Sequence, residues 1–376
     1  MTRKLRVGVI FGGRSGEHEV SLMSASNVIG AIDKDKYEVV PIGIAHSGQW
    51  LLSGDSMKAL KSGIEGSPGT PLAILPDPGS PGLIKLPEAA DSGAAGPGPG
   101  RPEAIDVVFP VLHGTYGEDG TVQGLLEMAN IPYVGAGVLA SSVGMDKAMA
   151  KAVWQQRGLP VVDYLLILRR DWEERRDAVA REIEVKFGFP VFIKPANLGS
   201  SVGISKAHDR DELRAGMDLA VRYDRRILVE DAVDAREIEC SVLGNDHPEA
   251  SVPGEIVPCN EFYDYAAKYV DERSQLRIPA DLRPETAAEV RRLAVEAFKA
   301  IDCAGMARVD FFVERGTDRI YLNELNTIPG FTKISMYPKL WEASGLPYGE
   351  LINRLIALAI ERHADKNRNE TVYRSE

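Results

Sequence analysis

The stretch from Leu5 to Ile44 constrains this chain more than any other. "LRVGVIFGG" is a short continuous apolar run that stops at paired glycines. "EVSLMSASNVIGAI" follows with apolar residues at helical spacing, among them Val20, Met23, Val28 and Ile32, and "YEVVPIGI" is a second apolar run. Strand, glycine turn, helix and strand in that order predict a βαβ unit and a parallel sheet. Parallel sheets of this kind bind ligands beyond the carboxyl ends of their strands, so the turn at Gly12 and Gly13 is a candidate binding edge. Its spacing, with Gly16 as the third glycine, is not G-x-G-x-x-G, which makes a nicotinamide dinucleotide the weaker reading.

Bulk properties narrow the class. The chain has 376 residues, enough for about two or three domains, with 44% hydrophobic and 26% charged residues, as in ordinary globular proteins. A net charge of −11 weighs against nucleic acid or an anionic membrane as the main partner. Cys240, Cys259 and Cys303 are far apart and odd in number, which argues against a disulfide framework or structural zinc site and for a reducing compartment. The apolar run behind "MTRK" is too short for a signal-peptide core, and no segment reaches membrane-span length, so a cytoplasmic location is expected.

Further along, Ser53 to Glu103 is dense in Gly and Pro and reads as an irregular insertion. "AIDVVFPVLHG" is another buried strand, "TVQGLLEMANI" a helix, and "IPYVGAG" closes a first region near Ala140. "FPVFIKPANLGSSVGISKA" and "RRILVEDAVDAREIECSVLG" each read as strand, loop, strand. A long amphipathic helix starts behind Pro284, "GMARVDFFVER" and "RIYLNELN" pair as strands, and "LINRLIALAIERHA" is a C-terminal helix.

Four polar constellations sit at the ends of these elements. Glu17 enters the first helix, where a carboxylate is favoured by the helix dipole; it is also placed to hold a substrate ammonium. His113 opens the Gly-rich acidic loop "HGTYGEDGT" at the same sheet edge. Lys194 ends a strand ahead of Gly199, Ser200, Ser201 and Gly203, a loop whose backbone N–H groups can cradle phosphate, although it is not a Walker A loop. Glu324 and Asn326 are two apart on one strand and so share a face, with Asn323 pointing the other way. They are either a solvated strand edge or hard-oxygen ligands of the kind magnesium takes. Arg308 and Asp310 show the same spacing on the neighbouring strand. One face would then carry an arginine, two carboxylates and an amide, and a divalent cation would relieve the repulsion between the carboxylates.

"FGGRSGEHEVSL", "HGTYGEDGTVQGLLE", "IPYVGAG", "SSVGMDK", "FIKPANLGSSVG", "FYDYAAKY", "ARVDFF" and "NELNTIPGFT" run in order over nearly the whole chain. In this set the sequence resembles the D-alanine–D-alanine ligases of the ATP-grasp superfamily. The resemblance implies an α/β, α+β overall, fold: a parallel α/β substrate domain over 1–140 with the 53–103 insertion, a central domain over 141–235, and a C-terminal domain over 236–376 with a lid loop at 255–278. ATP would lie between the last two. It would phosphorylate the carboxylate of one D-alanine, and the amine of a second would attack the acyl phosphate, making D-alanyl-D-alanine for peptidoglycan synthesis.

By position, the resemblance implies that Lys147 and Lys194 hold the α- and β-phosphates and that Lys268 meets the γ-phosphate. Glu230, the backbone of Asp231 and Val233, and Glu237 would hold adenine and ribose. Asp310, Glu324 and Asn326 would bind two Mg2+ or Mn2+ ions. Arg308 and the Gly330 N–H would stabilise the oxyanion. Glu17, helped by His113, would hold the first ammonium, and Ser335 and Met336 the second carboxylate. Ser200 and Tyr269 would link to Glu17 under the lid. Related ligases often carry Glu-Lys and an aromatic where this chain has Glu230, Asp231 and Ala232, so stacking on adenine would be weaker. A homodimer is expected, with D-alanine and ATP as partners and neither nucleic acid nor membrane. A D-alanine–D-lactate or D-alanine–D-serine ligase would share the phosphate and metal residues, and a catalytically silent nucleotide-binding paralogue is the non-enzyme alternative.

Overall fold

The computed structural model describes residues 3–53, 69–79, 82–86, 103–199, 202–257, 275–332 and 334–371. The βαβ unit forms as the sequence predicts. β1 (Leu5–Gly12) leads through α1 (His18–Ala31) to β2 (Tyr37–Ile44). β1 pairs in parallel with β2 on one side and with β6 (Val107–Val111) on the other. All five residues of β6 are buried, which is what a parallel strand covered on both faces requires, although it stands at the end of the sheet.

The Gly/Pro-rich segment departs from the expectation. β3 (Trp50–Ser53), β4 (Gly69–Ile74) and β5 (Leu83–Lys85) extend the sheet antiparallel, in the order β5-β4-β3-β2-β1-β6. Leu72, Ile74 and Leu83 are buried in the core formed by Ile10, Ile42 and Val108. Apolar side chains in register with the sheet outweigh the Gly and Pro around them.

A second sheet runs β7-β10-β8-β9, with β7 Tyr164–Leu168, β8 Val191–Pro195, β9 Ser205–Ala207 and β10 Arg226–Asp231, all antiparallel. Two helices follow α2 (Thr121–Met128): α3 (Val138–Met145) and α4 (Lys147–Gln156). The second sheet's own cover is α5 (Arg169–Phe187) and α6 (Arg210–Tyr223), through Trp172, Val179, Ile183, Leu213 and Met217. The third sheet has the order β14-β13-β11-β15-β16, with β12 (Glu249–Ala250) beside β11. Its strands are β11 Ala235–Gly244, β13 Gly254–Val257, β14 Gln275–Arg277, β15 Gly305–Glu314 and β16 Ile320–Asn326. One face is covered by α7 (Pro284–Ala300) and by Trp154 of α4. Period-two alternation leaves Glu237, Glu239, Arg308 and Asp310 on the opposite face.

The chain order does not partition the cores. α8 (Met336–Ala343) and α9 (Tyr348–Lys366) bring Tyr337, Trp341, Leu351, Ile352 and Leu355 into one cluster with Val7, Phe11 and Phe109 of the first sheet. This packing sets the loop between β16 and α8 against the carboxyl edge of β1 and β6, and the site forms there.

Candidate active site

The third sheet supplies the charged floor. Across β15 and β16, Arg308 stands opposite Asn326 and Asp310 opposite Glu324, so the four side chains expected on one face do share it. Asn323 does not follow the expectation. The register shifts between Asp310 and Phe311, leaving Asn323 as the extra residue of a bulge. Leu322 and Leu325 stay buried on the apolar face, so both residues between them turn to the site, and Asn323 Oδ1 accepts from Lys194 Nζ at 3.3 Å.

Arg308 organises this floor. Its Nε and Nη2 donate to Asp310 Oδ1 and Oδ2, both at 2.7 Å, and its Nε lies 3.0 Å from Glu239 Oε2. Glu239 is directly across β11–β15 from Asp310. Two carboxylates in that position repel unless a cation lies between them, and the planar guanidinium fork is that cation. Asn326 Nδ2 adds a bond to Asp310 Oδ2 at 3.0 Å.

Lysines close the floor from the other elements. Asp146 caps α4 by accepting from Met149 N–H at 3.0 Å, and this presents Lys147 at the helix start. Lys147 Nζ lies 3.1 Å from Glu324 Oε2 and donates to the Leu198 carbonyl at 2.8 Å, so one ammonium ties the Glu324 carboxylate to the glycine loop. Lys194 Nζ donates to Glu230 Oε2 at 2.7 Å, and Lys151 Nζ sits 3.0 Å from Glu230 Oε1. Burial pushes the Glu230 carboxyl up, but the two lysines outweigh it and hold it down at about 2. Lys151 is absent from the sequence expectations; its signal was its place one helical turn after Lys147. Asp231 is exposed and Val233 and Glu237 half-buried along the β10–β11 edge. Ser200, Lys268 and Tyr269, with most of the expected lid, lie outside the described residues.

The first sheet contributes the second wall. A Cβ built on Gly114 would lie 2.6 Å from Glu17 Oε2, and one on Gly199 would lie 3.1 Å from it. The Glu17 carboxylate therefore lies where the acidic loop and the glycine loop meet, which brings three of the sequence constellations together. A cavity of about 260 Å³ opens on this sheet edge among Gly13, Trp50, Leu112, His113 and Tyr116; its walls include neither Glu17 nor any of the carboxylates on β15 and β16.

His113 does something other than expected. Its Nδ1 is 3.0 Å from the Ile328 carbonyl and its Nε2 is 3.1 Å from Ser24 Oγ. A carbonyl only accepts, so Nδ1 carries the proton and Nε2 accepts from the serine hydroxyl. Burial lowers the ring's pKa, which keeps this neutral tautomer. With both nitrogens engaged, His113 has no lone pair left to accept from the substrate ammonium that the resemblance implies. It holds the loop after β16. Ser24 Oγ accepts from Phe331 N–H at 3.2 Å, Glu118 Oε1 from Ile328 N–H at 3.3 Å, and Tyr348 OH donates to the Phe331 carbonyl at 2.9 Å. The backbone on both sides of Gly330 is thus fixed by side chains from distant elements. Glu118 also accepts from Gly114 N–H at 2.7 Å; burial first, then the Glu17 charge, pushes its carboxyl up to about 8. Its acidic loop was visible in the sequence, whereas nothing local marked Ser24.

Gly330 and Ser335 are brought together. A Cβ on Gly330 would meet Ser335 Oγ at 2.8 Å, and that oxygen accepts from Thr332 N–H at 3.0 Å. Ser335 occupies the cap position of α8, so it and Met336 stand at a helix N-terminus, the end that favours an anion.

The comparisons with known proteins agree with this assembly. Residues 6–136 match the family model described as D-ala D-ala ligase N-terminus, and residues 153–357 match D-ala D-ala ligase C-terminus. A D-alanine–D-alanine ligase of Natranaerobius thermophilus is 50% identical over 369 residues, 98% of each chain. Among solved structures, the D-alanine-D-alanine ligase from Coxiella burnetii superposes with a TM-score of 0.84 at 38% identity, covering 98% of this chain and 97% of that one. The VanG D-Ala:D-Ser ligase from Enterococcus faecalis also gives 0.84, at 36% identity over 95% of this chain and 100% of that one. Two family models that together span most of the sequence, and a relative matched over nearly its full length, agree with the sheet order and the charged floor: the chain has the ATP-grasp fold and belongs to the D-alanine–D-alanine ligase family.

Proposed function

We infer that this chain uses ATP to join two D-alanines into D-alanyl-D-alanine through an acyl phosphate, for peptidoglycan synthesis. The observation that carries the reading is the charged floor: Arg308 and Asp310 face Asn326 and Glu324 across one strand pair, with Lys147 bound to Glu324. A carboxylate is a poor electrophile, and making it one by phosphoryl transfer needs this density of cations and hard oxygens.

The donor set fits divalent metal. Asp310, Glu324 and Asn326 offer oxygens on adjacent strands, and in the structure these carboxylates already draw the cationic groups of Arg308 and Lys147. These three side chains would hold Mg2+ or Mn2+, which would supply positive charge to the phosphoryl group in transfer. Lys147 and Lys194 orient the α- and β-phosphates, with Lys268 on the γ-phosphate. Glu230 and Glu237 and the backbone of Asp231 and Val233 take the base and sugar. Glu17 pairs with the first ammonium. Arg308 and the Gly330 N–H meet the oxyanion, and His113, Ser24 and Glu118 keep that N–H in place. Ser335 and the Met336 N–H bind the second carboxylate at the start of α8. Ser200 and Tyr269 close over Glu17, and the lid excludes the water that would hydrolyse the acyl phosphate.

The likeness to a D-Ala:D-Ser ligase at equal TM-score keeps a second acceptor in view, while a half-identical D-alanine–D-alanine ligase favours D-alanine. Incubation with ATP, Mg2+ and D-alanine against equal D-serine and D-lactate, with products identified by mass spectrometry, decides. Mixed D-alanyl-D-serine or depsipeptide in excess refutes the choice of acceptor, and no ATP-dependent product with any acceptor refutes the ligase reading. Among the described residues no helix is long and apolar enough to cross a membrane. We place the protein in the cytoplasm as a homodimer, which a sedimentation measurement tests.

A further inference from the structure

We propose that His18, Glu19 and His46 form a three-ligand site for a borderline transition-metal ion such as Zn2+ or Ni2+, on the outer shoulder of the Glu17 wall. One ligand atom from each of the three lies within 4.8 Å of the others. His18 is 3% exposed, in the first turn of α1, and its Nδ1 is 2.8 Å from the Gly13 carbonyl. That oxygen can only accept, so Nδ1 carries the proton and the lone pair is on Nε2. A ring nitrogen tied to a backbone carbonyl, with the other left basic, is the arrangement of a metal-ligating histidine.

His46, in the turn after β2, lays its ring over His18 with centroids 3.7 Å apart and 24° between planes. Its Nε2 stands 3.9 Å from Glu19 Oε1, beyond hydrogen-bond range. Ligands around tetrahedral zinc are roughly 3.3 Å apart, from bonds of about 2.0–2.1 Å, so the cluster must contract, and because imidazole lone pairs lie in the ring plane the His46 ring must also turn off its stack on His18 to face the same ion. The two members that must move are the exposed ones, since the side chains of His46 and Glu19 are 53% and 77% accessible. Two imidazoles and one carboxylate select zinc or nickel over magnesium, which prefers an all-oxygen octahedron. The site is thus chemically separate from the oxygen donors on β15 and β16.

Binding there has a consequence for the reaction, which rests on the reading of Glu17. The ion would join the turn after β2 to α1, adjacent in sequence to Glu17 and through His18 to the Gly13 carbonyl. A dication on that shoulder opposes the approach of a substrate ammonium, so occupancy raises the D-alanine KM several-fold with little change in the ATP KM.

The test uses the untagged full chain in excess Mg2+. Calorimetry with Ni2+ or Zn2+ should give one site per chain, and Co2+ should produce visible absorption of nitrogen coordination. His46→Asn and Glu19→Gln should each weaken binding at least tenfold while ligating normally in Mg2+ buffer free of transition metal. His46→Asn should also abolish the metal effect on the D-alanine KM. Absence of binding to the wild-type chain, or unchanged binding in both variants, overturns the site. Binding that leaves the D-alanine KM unchanged overturns the coupling to Glu17 and leaves the ligation reading untouched.

Discussion

Replacing Arg308 by lysine keeps the charge and removes the fork. The fork makes two 2.7 Å bonds to Asp310 and a 3.0 Å contact to Glu239, and the Arg308 side chain is 18% accessible. A single ammonium on a shorter stem satisfies one of these partners at a time. Asp310 and Glu239, opposed across β11–β15, then repel with incomplete compensation. Losing one or two charge-assisted bonds costs the fold about 2–4 kcal/mol. The chemistry loses more specifically. If Arg308 meets the oxyanion, its displacement should lower turnover by about two to three orders of magnitude, roughly 2.7–4 kcal/mol. Phosphate release under saturating ATP and D-alanine measures the second effect, and thermal unfolding the first. Adding Glu239→Gln separates them. It removes the opposed charge, so the double variant should regain stability but not turnover. A turnover loss below tenfold, or turnover restored by Glu239→Gln, would refute the oxyanion assignment and leave Arg308 a structural charge clamp.

Glu324→Gln keeps volume and removes the charge facing Lys147; ligation should nearly vanish while circular dichroism is unchanged, and near-normal turnover at ordinary Mg2+ would sink the metal assignment. Ser24→Ala removes the acceptor of the Phe331 N–H; turnover should fall about tenfold with the ATP KM unchanged, because one buried hydrogen bond of about 1–3 kcal/mol positions the loop. Glu118 has its carboxyl raised from 4.5 to about 8, so it favours the folded state most below pH 4.5 and that contribution is lost as pH rises towards 8. Melting temperatures of the ligand-free chain should therefore fall across pH 5 to 8 and flatten in Glu118→Gln, and an equal slope in the variant would count against this carboxyl as the cause.

Much of the architecture was legible because its causes are local. The apolar run and glycine turn at Leu5–Gly12, followed by helical spacing, specify a βαβ unit without help from the rest of the chain. Alternation on two strands specifies that Arg308 and Asp310 share a face, and likewise Glu324 and Asn326, whatever covers the other side. What stayed hidden depends on contacts through space. The bulge that turns Asn323 onto Lys194 arises from the pairing of β15 with β16, and strands 69–74 and 83–85 exist because a neighbouring edge gives their few apolar residues somewhere to bury. Lys151 meets Glu230 only once α4 lies against the second sheet. Ser24 and Phe331 are 307 positions apart, and Glu118 and Ile328 are 210 apart. No propensity or spacing links such pairs. They meet because α8 and α9 fold back on the first sheet, and a buried backbone N–H there must find an acceptor from whichever element the packing brings beside it.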